Sequence, residues 1–211
     1  MWKGIEKMND KYASQTLNYY NQNAPQFSSS TQSLDFAPIQ NKFLSFLPPQ
    51  AHILDFGCGS GRDTKYFLAH GYHTDAIDGS EELCRIASEY TGVPVKQMLF
   101  QELNAAEEYD GIWACSSILH STYYELKDIL KKLACALKKE GILYASFKYG
   151  DFEGMRNGRY FIDLEEGKLQ KILQETNVFE LKEKWISTDI RPGRDEEKWM
   201  NIILIKKSCI Y

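Results

Sequence analysis

No apolar run in this 211-residue chain approaches the roughly 18 residues that a membrane span requires. The start, Met1 to Asn21, is polar and has no apolar stretch of signal-peptide type. The expectation is a soluble, unexported, cytoplasmic protein with no membrane partner. Cysteine is sparse: Cys58, Cys84, Cys115, Cys135 and Cys209 are odd in number, scattered and never spaced C-x-x-C, which argues against a metal or redox centre and for reduced thiols. An excess of one charge is also missing. With 25 basic against 29 acidic residues the net charge is −4, which disfavours a nucleic-acid partner drawn by long-range phosphate attraction. A hydrophobic content of 43% beside 26% charged residues excludes a disordered or collagen-like chain and leaves one domain, or one plus an appendage.

Residues 1–35 are rich in Asn, Gln, Ser and Tyr and contain the tract Ser28-Ser29-Ser30-Thr31. They read as a loosely packed N-terminal arm with one short helix near Leu17 to Tyr20. Residues 36–211 read as the folded domain. Ile39, Phe43, Phe46 and Leu47 lie at helical spacing before Pro48-Pro49. Strands are then predicted over 51–56, 73–77, 95–99, 111–115 and 141–147, with helices between them. Ser80, followed by Glu81 and Glu82, opens one of these helices with acids at the positive end of its dipole. This rhythm predicts an α/β fold with a doubly wound, mostly parallel sheet. Lys148 to Asp163 has three glycines and no apolar period, and is read as an active-site loop or lid. A helix over 164–176 and strands over 179–186 and 199–205 follow. Two strands joined without a helix imply an antiparallel hairpin at the end of the sheet.

The most informative stretch is Ile53-Leu54-Asp55-Phe56-Gly57-Cys58-Gly59-Ser60-Gly61. A glycine-rich turn between strand and helix lets a ligand approach bare backbone. A ligand-free tight turn needs fewer glycines. The third glycine comes one place too early for the dinucleotide pattern G-x-G-x-x-G, and no Gly-Lys-Ser/Thr follows to make a P-loop. Asp55, two residues before the first glycine, would repel phosphates, so the ligand is expected to carry positive charge nearby. Asp78 ends the second strand, where a carboxylate can take both ribose hydroxyls. The competing reading is a strand-end acid that caps the helix at Ser80.

These features resemble the class I S-adenosylmethionine (SAM) dependent methyltransferases, from about Tyr19 to Asn201. More narrowly, Phe56 to Asp63, Tyr109 to His120 and Ser146 to Gly150 look like bacterial small methyltransferases often labelled tellurite-resistance-like. The resemblance implies a Rossmann-like methyltransferase fold with a seven-stranded sheet whose last strand is antiparallel. It implies SAM as cofactor, held by the Asp55–Gly61 motif including Cys58, with Gly57 and Gly59 near the methionyl part. Asp78 would take the ribose, Gly79 and Ser80 would flank the adenosine, and Gln101, Glu102 and Leu103 would clasp the adenine. Backbone carbonyls at Cys115 and Ser116 would meet the SAM amino group. Gln101 and Glu102 fit a solvated loop face equally well.

Methyl transfer from a sulfonium disperses positive charge, so holding donor and acceptor in line and excluding water matter more than a catalytic triad. His120, just past the fourth strand, is the candidate general base, with capping or packing of the next helix as the alternative. Four of the six arginines, Arg156, Arg159, Arg191 and Arg194, fall in the late loops beside Tyr149, Tyr160, Phe161 and Trp199. Arg156, Arg159 and Arg191 with Tyr149 and Tyr160 are the candidate substrate contacts, suited to a small acceptor of anionic or aromatic character. Ion pairs with Asp151, Asp163 and Asp195 would account for the arginines without a substrate. Tyr19, Tyr20 and Phe27 could fold over the cofactor as a cover, or belong to a plain packing helix. After the fourth strand stands Ala114-Cys115-Ser116-Ser117 rather than Asn/Asp-Pro-Pro-Tyr, and Cys115 has no preceding proline. Nucleobase amino-group and cytosine C5 chemistry are therefore disfavoured. An RNA or protein methyltransferase, or a SAM-binding regulator without turnover, stays as the alternative.

Overall fold

The computed structural model describes residues 2–208, which leaves Cys209 outside the described residues. In chain order the elements are α1 (Trp2–Thr31), α2 (Ala37–Leu44), β1 (His52–Phe56), α3 (Arg62–Ala69), β2 (His73–Asp78), α4 (Glu81–Thr91), β3 (Lys96–Gln97), β4 (Tyr109–Ala114), α5 (Tyr123–Ala136) and β5 (Leu137–Lys148). They continue with β6 (Glu153–Arg156), β7 (Arg159–Ile162), α6 (Glu166–Thr176), β8 (Phe179–Thr188) and β9 (Lys198–Lys206). Seven strands form one sheet in the order β3-β2-β1-β4-β5-β9-β8. The first five run parallel, and β9 is antiparallel to both β5 and β8.

Alternation along the central strands sorts the core onto the two faces of this sheet. Ile112 and Ala114 of β4, with Leu143 and Ala145 of β5, point towards Leu126, Ile129, Leu130 and Leu133 of α5. Trp113 and Tyr144 point the other way, against Phe43 of α2 and Phe67 of α3. The Trp113 and Tyr144 rings stack with centroids 4.0 Å apart. Each such fully buried aromatic or aliphatic side chain contributes roughly 1.5–3 kcal/mol.

Three expectations change. Residues 1–35 are not a loose arm: α1 is 30 residues long and runs through Pro25, which withholds a donor from one intrahelical bond. The polar tract stays helical because Ser28, Ser29, Ser30 and Thr31 donate their hydroxyls back to the carbonyls of Ala24, Gln26 and Phe27. The segment read as a structureless lid is the hairpin β6–β7, a small separate sheet whose turn is Asn157-Gly158, both at positive φ. The third strand shrinks to two residues. Val95 gives its N–H to Ser88 Oγ, and beyond Met98 the chain bends into a single 3-10 turn.

Candidate active site

The cavity lies at the carboxyl ends of the parallel strands, where β1 and β4 adjoin and the crossovers leave in opposite directions. Its volume is about 520 Å³. The turn after β1 lines it with Gly57, Cys58, Gly59 and Ser60. Gly57 has φ +81°, and a Cβ there would fall 2.5 Å from Cβ of Ser117 in the turn after β4. Ser117 Oγ donates to the Phe56 carbonyl at 2.6 Å, so the two turns are bolted together. Gly59, at φ +58°, would meet the Phe27 ring of α1 at 3.1 Å. Packing and backbone conformation therefore require these glycines before any ligand does.

Asp78 faces the cavity, and its carboxylate already orders the site. Oδ2 accepts the Gly59 N–H at 2.9 Å and Oδ1 the Ser80 N–H at 2.8 Å. Each oxygen keeps a further lone pair. Burial pushes this carboxyl up from its ordinary value, and the backbone hydrogen bonds pull against that shift. Asp78 thus braces Ser80, the cap residue of α4, and its cavity position is compatible with the ribose reading as well. Met98, Leu99 and Phe100 add apolar wall after β3, beside Gln101.

Helix α1 crosses the mouth of this cavity. Leu17 fills the space over Gly79, within 2.6 Å of where a Cβ would stand. Asn21 Oδ1 accepts from Ser80 Oγ at 2.6 Å, and Thr31 Oγ1 meets Ser60 Oγ at 3.0 Å. At the hairpin, the Tyr160 N–H donates to Thr16 Oγ1 at 3.0 Å and Tyr12 stacks on the Tyr160 ring. Tyr12, Thr16, Leu17, Tyr20, Phe27 and Thr31 all line the cavity.

Below α1, Tyr20, His120 and Arg159 meet. His120 Nδ1 lies 2.6 Å from the Tyr160 carbonyl, which can only accept, so Nδ1 carries the proton. Nε2 then accepts from Tyr20 Oη at 2.8 Å. Burial drives the imidazole pKa down to about 4, with Arg159 adding to the shift against the Tyr160 carbonyl, and the ring is neutral at pH 7. Burial also raises the Tyr20 phenol, whose proton stays on Oη although Arg159 favours its loss.

The other arginines have carboxylate partners. Arg156 pairs with Asp163 at 2.8 Å and Arg194 with Glu197 at 3.5 Å. Arg191 forks onto Asp189, whose carboxyl burial would raise but whose hydrogen bonds from Arg191 and Trp199 hold well below the usual range. Lys148 pairs with Glu197 and lies 3.7 Å from Asp189. Burial lowers its ammonium to about 8.

Of the residues the sequence nominated, Tyr20, Gly57, Cys58, Gly59, Asp78, Gly79, Gln101, Cys115, Ser116, His120, Tyr149, Arg156, Arg159, Tyr160 and Arg191 line the cavity. Four do not. Asp55 turns its carboxylate to Thr64 Oγ1 at 2.6 Å, and burial with Asp63 nearby raises its pKa strongly. It cannot face a cationic ligand from there. Ser80 is consumed as the cap of α4, accepting the Leu83 N–H while donating to Asn21. Glu102 folds back onto the Leu99 N–H at 2.7 Å, and Leu103 is buried in the main core. Two further nominees have other partners: Tyr149 Oη donates to Glu166, and Tyr160 Oη to Glu153. Cys115 lies by Asp63 and is pushed up to about 11, chiefly by burial, so it is a thiol rather than a nucleophilic thiolate.

Residues the sequence did not nominate are Thr16, Leu17, Ser117 and Ser146, which receives the Ser116 N–H at 2.8 Å. The readable signal for α1 was the spacing Ala13, Thr16, Leu17, Tyr20, Ala24, Phe27, Thr31, a helical stripe of mixed polarity.

Residues 53–141 match a family model described as a methyltransferase domain. No curated relative matches the sequence. Among solved structures, a 1,6-didemethyltoxoflavin-N1-methyltransferase of Burkholderia thailandensis, holding 1,6-didemethyltoxoflavin and S-adenosylhomocysteine, superposes with TM-score 0.77 at 19% identity over 95% of this chain and 91% of that one. A TehB-like SAM-dependent methyltransferase of Corynebacterium glutamicum gives 0.67 at 18% identity, covering 90% and 98%. The [4+2]-cyclase SpnF gives 0.69 at 14% identity, covering 90% and 94%, so the shared fold is not confined to methyl transfer. No described helix is long and apolar enough to cross a membrane. The chain has the Rossmann-like methyltransferase fold, and its residues 53–141 match the model of a methyltransferase domain.

Proposed function

We propose that this protein is a SAM-dependent methyltransferase acting on a small molecule. The observation that carries the reading is the pairing of Asp78 with the turn after β1. A carboxylate with spare lone pairs stands at the end of β2, hydrogen-bonded to the bare backbone turn, and the two line one wall of a cavity of about 520 Å³. These residues fit a nucleoside: Asp78 suits ribose hydroxyls, and Met98, Leu99 and Phe100 suit a flat base. SAM, when bound, supplies an electrophilic methyl group on a sulfonium. The chain's own part is to exclude water and to fix the acceptor, and residues of α1 and of the β6–β7 hairpin line the cavity where a cover would lie.

The placement of α1 supports a small acceptor. A nucleic acid or protein would have to displace α1, which is tied to Ser60, Ser80 and Tyr160 by hydrogen bonds. The Burkholderia protein, similar in fold, holds a small molecule beside S-adenosylhomocysteine. Cover and cofactor grip are assigned to Tyr20 and Phe27 of α1, to Gly57, Cys58, Gly59, Asp78, Gly79 and Gln101, and to Cys115 and Ser116. Where the acceptor must lose a proton, His120 takes it through the Tyr20 hydroxyl, since Tyr20 occupies Nε2. The test is labelled methyl transfer from SAM into a cell extract split into a small-molecule filtrate, RNA and protein. Label is expected in the filtrate; label only in RNA or protein overturns the acceptor class, and none anywhere overturns turnover.

A further inference from the structure

We infer that Arg159 is the anion anchor of the acceptor, and that the acceptor is an aromatic or conjugated carboxylate bound by this one arginine. The inference deepens the methyltransferase reading and rests on it for the word acceptor. It starts from charge accounting. Arg62, Lys148, Arg156, Arg191 and Arg194 line the cavity, and each has a carboxylate within ion-pair distance. Lys198 has none among the described residues but is exposed, so water solvates it. Arg159 differs from both groups. It is only partly exposed, its Nε is buried, and among the described residues no carboxylate pairs with it.

A partly buried cation without a counter-charge carries a desolvation cost that nothing offsets. Arg159 is also short of hydrogen-bond partners. Its buried Nε has none, and Nη1 reaches only Tyr20 Oη, at 3.4 Å. The guanidinium otherwise meets ring faces: Tyr19 at 4.4 Å, Phe161 at 5.1 Å and Tyr20 at 5.6 Å. Those faces favour a cation but leave its N–H groups unsaturated. The partner this environment lacks is an oxyanion. The guanidinium fork matches a carboxylate, and the rings of Tyr20 and Phe161 around it suit a flat, conjugated body.

The position of Arg159 assigns the anion to the acceptor rather than to the cofactor. It projects from the start of β7, and a row of contacts separates it from the glycine turn: Arg159 packs against Tyr20, Tyr20 lies edge-on to Phe27, and Phe27 meets Gly59. Neutral His120 next to it supplies no competing charge.

Calorimetry tests this on the full chain saturated with S-adenosylhomocysteine, using benzoate, nicotinate and salicylate as probes against their three amides. At least one carboxylate is expected to bind at least about tenfold more tightly than its amide. Arg159→Gln is expected to abolish that preference, and Arg159→Lys to restore part of it. Arg85→Gln, which changes net charge equally on the exposed face of α4, is expected to leave it intact. Equal binding of acid and amide in the unmodified protein overturns the inference, as does a preference that survives Arg159→Gln. So does a loss of S-adenosylhomocysteine affinity in Arg159→Gln as large as the loss of carboxylate affinity, which would make the cofactor's own carboxylate the anion. If S-adenosylhomocysteine does not bind the unmodified protein, the methyltransferase reading fails. The same probes titrated without it then decide the arginine separately.

Discussion

Single residues set the tolerances of this site. Gly57→Ala puts a Cβ at positive φ and 2.5 Å from Ser117, whose hydroxyl is fixed on Phe56. The expected loss is roughly 1–3 kcal/mol in urea unfolding, recovered in part by adding Ser117→Gly. Asp78→Ala removes the acceptor of two backbone N–H groups and the proposed ribose ligand. SAM affinity measured by calorimetry is expected to drop about 10- to 100-fold, and near-native affinity would reject the ribose assignment. His120 has a sign that can be checked. Its folded pKa, about 4, lies below the ordinary 6.5, so the unfolded chain binds more protons between these values. Stability is expected to be fully present above about 6.5 and to decline as pH falls towards about 4. His120→Gln should flatten that part of the unfolding profile. A slope identical to that of the unmodified protein would show that His120 does not titrate as its surroundings dictate.

At the scale of elements, α1 is where sequence and structure part. Apolar periodicity made α2, α5 and the central strands legible, because Phe43, Leu126, Ile129, Leu130 and Leu133 pack by simple burial. The inner stripe of α1 is instead half polar: Thr16, Asn21 and Thr31 dock through hydrogen bonds to Tyr160, Ser80 and Ser60. Its serines read as loop formers, yet satisfy themselves on the preceding turn. Asn157-Gly158 is the turn of a hairpin, a signal outweighed by the three glycines and missing apolar period that suggest an active-site loop or lid. Asp55 and Ser80 were right in their elements and wrong in their aim, because a local hydroxyl and a helix cap claimed them first. If α1 is a cover, removal of residues 1–30 should leave a folded domain by circular dichroism with SAM affinity reduced about tenfold, or ~1.4 kcal/mol. Unchanged affinity would make α1 a packing helix only.

On the scale of the whole molecule, the sheet order and the switch between β1 and β4 create one cavity, and the chemistry is added by what surrounds it. The fold alone serves other reactions, since a cyclase shares it. What distinguishes this chain is a carboxylate and a bare turn, rather than a phosphate-binding loop, at the end of β2 and β1. The account therefore stands on which nucleoside enters there. Calorimetric titration of the full chain with S-adenosylhomocysteine and, separately, with NAD decides it. Saturable one-to-one binding of S-adenosylhomocysteine with no heat from NAD is the expected result; binding of NAD with none of S-adenosylhomocysteine would contradict it.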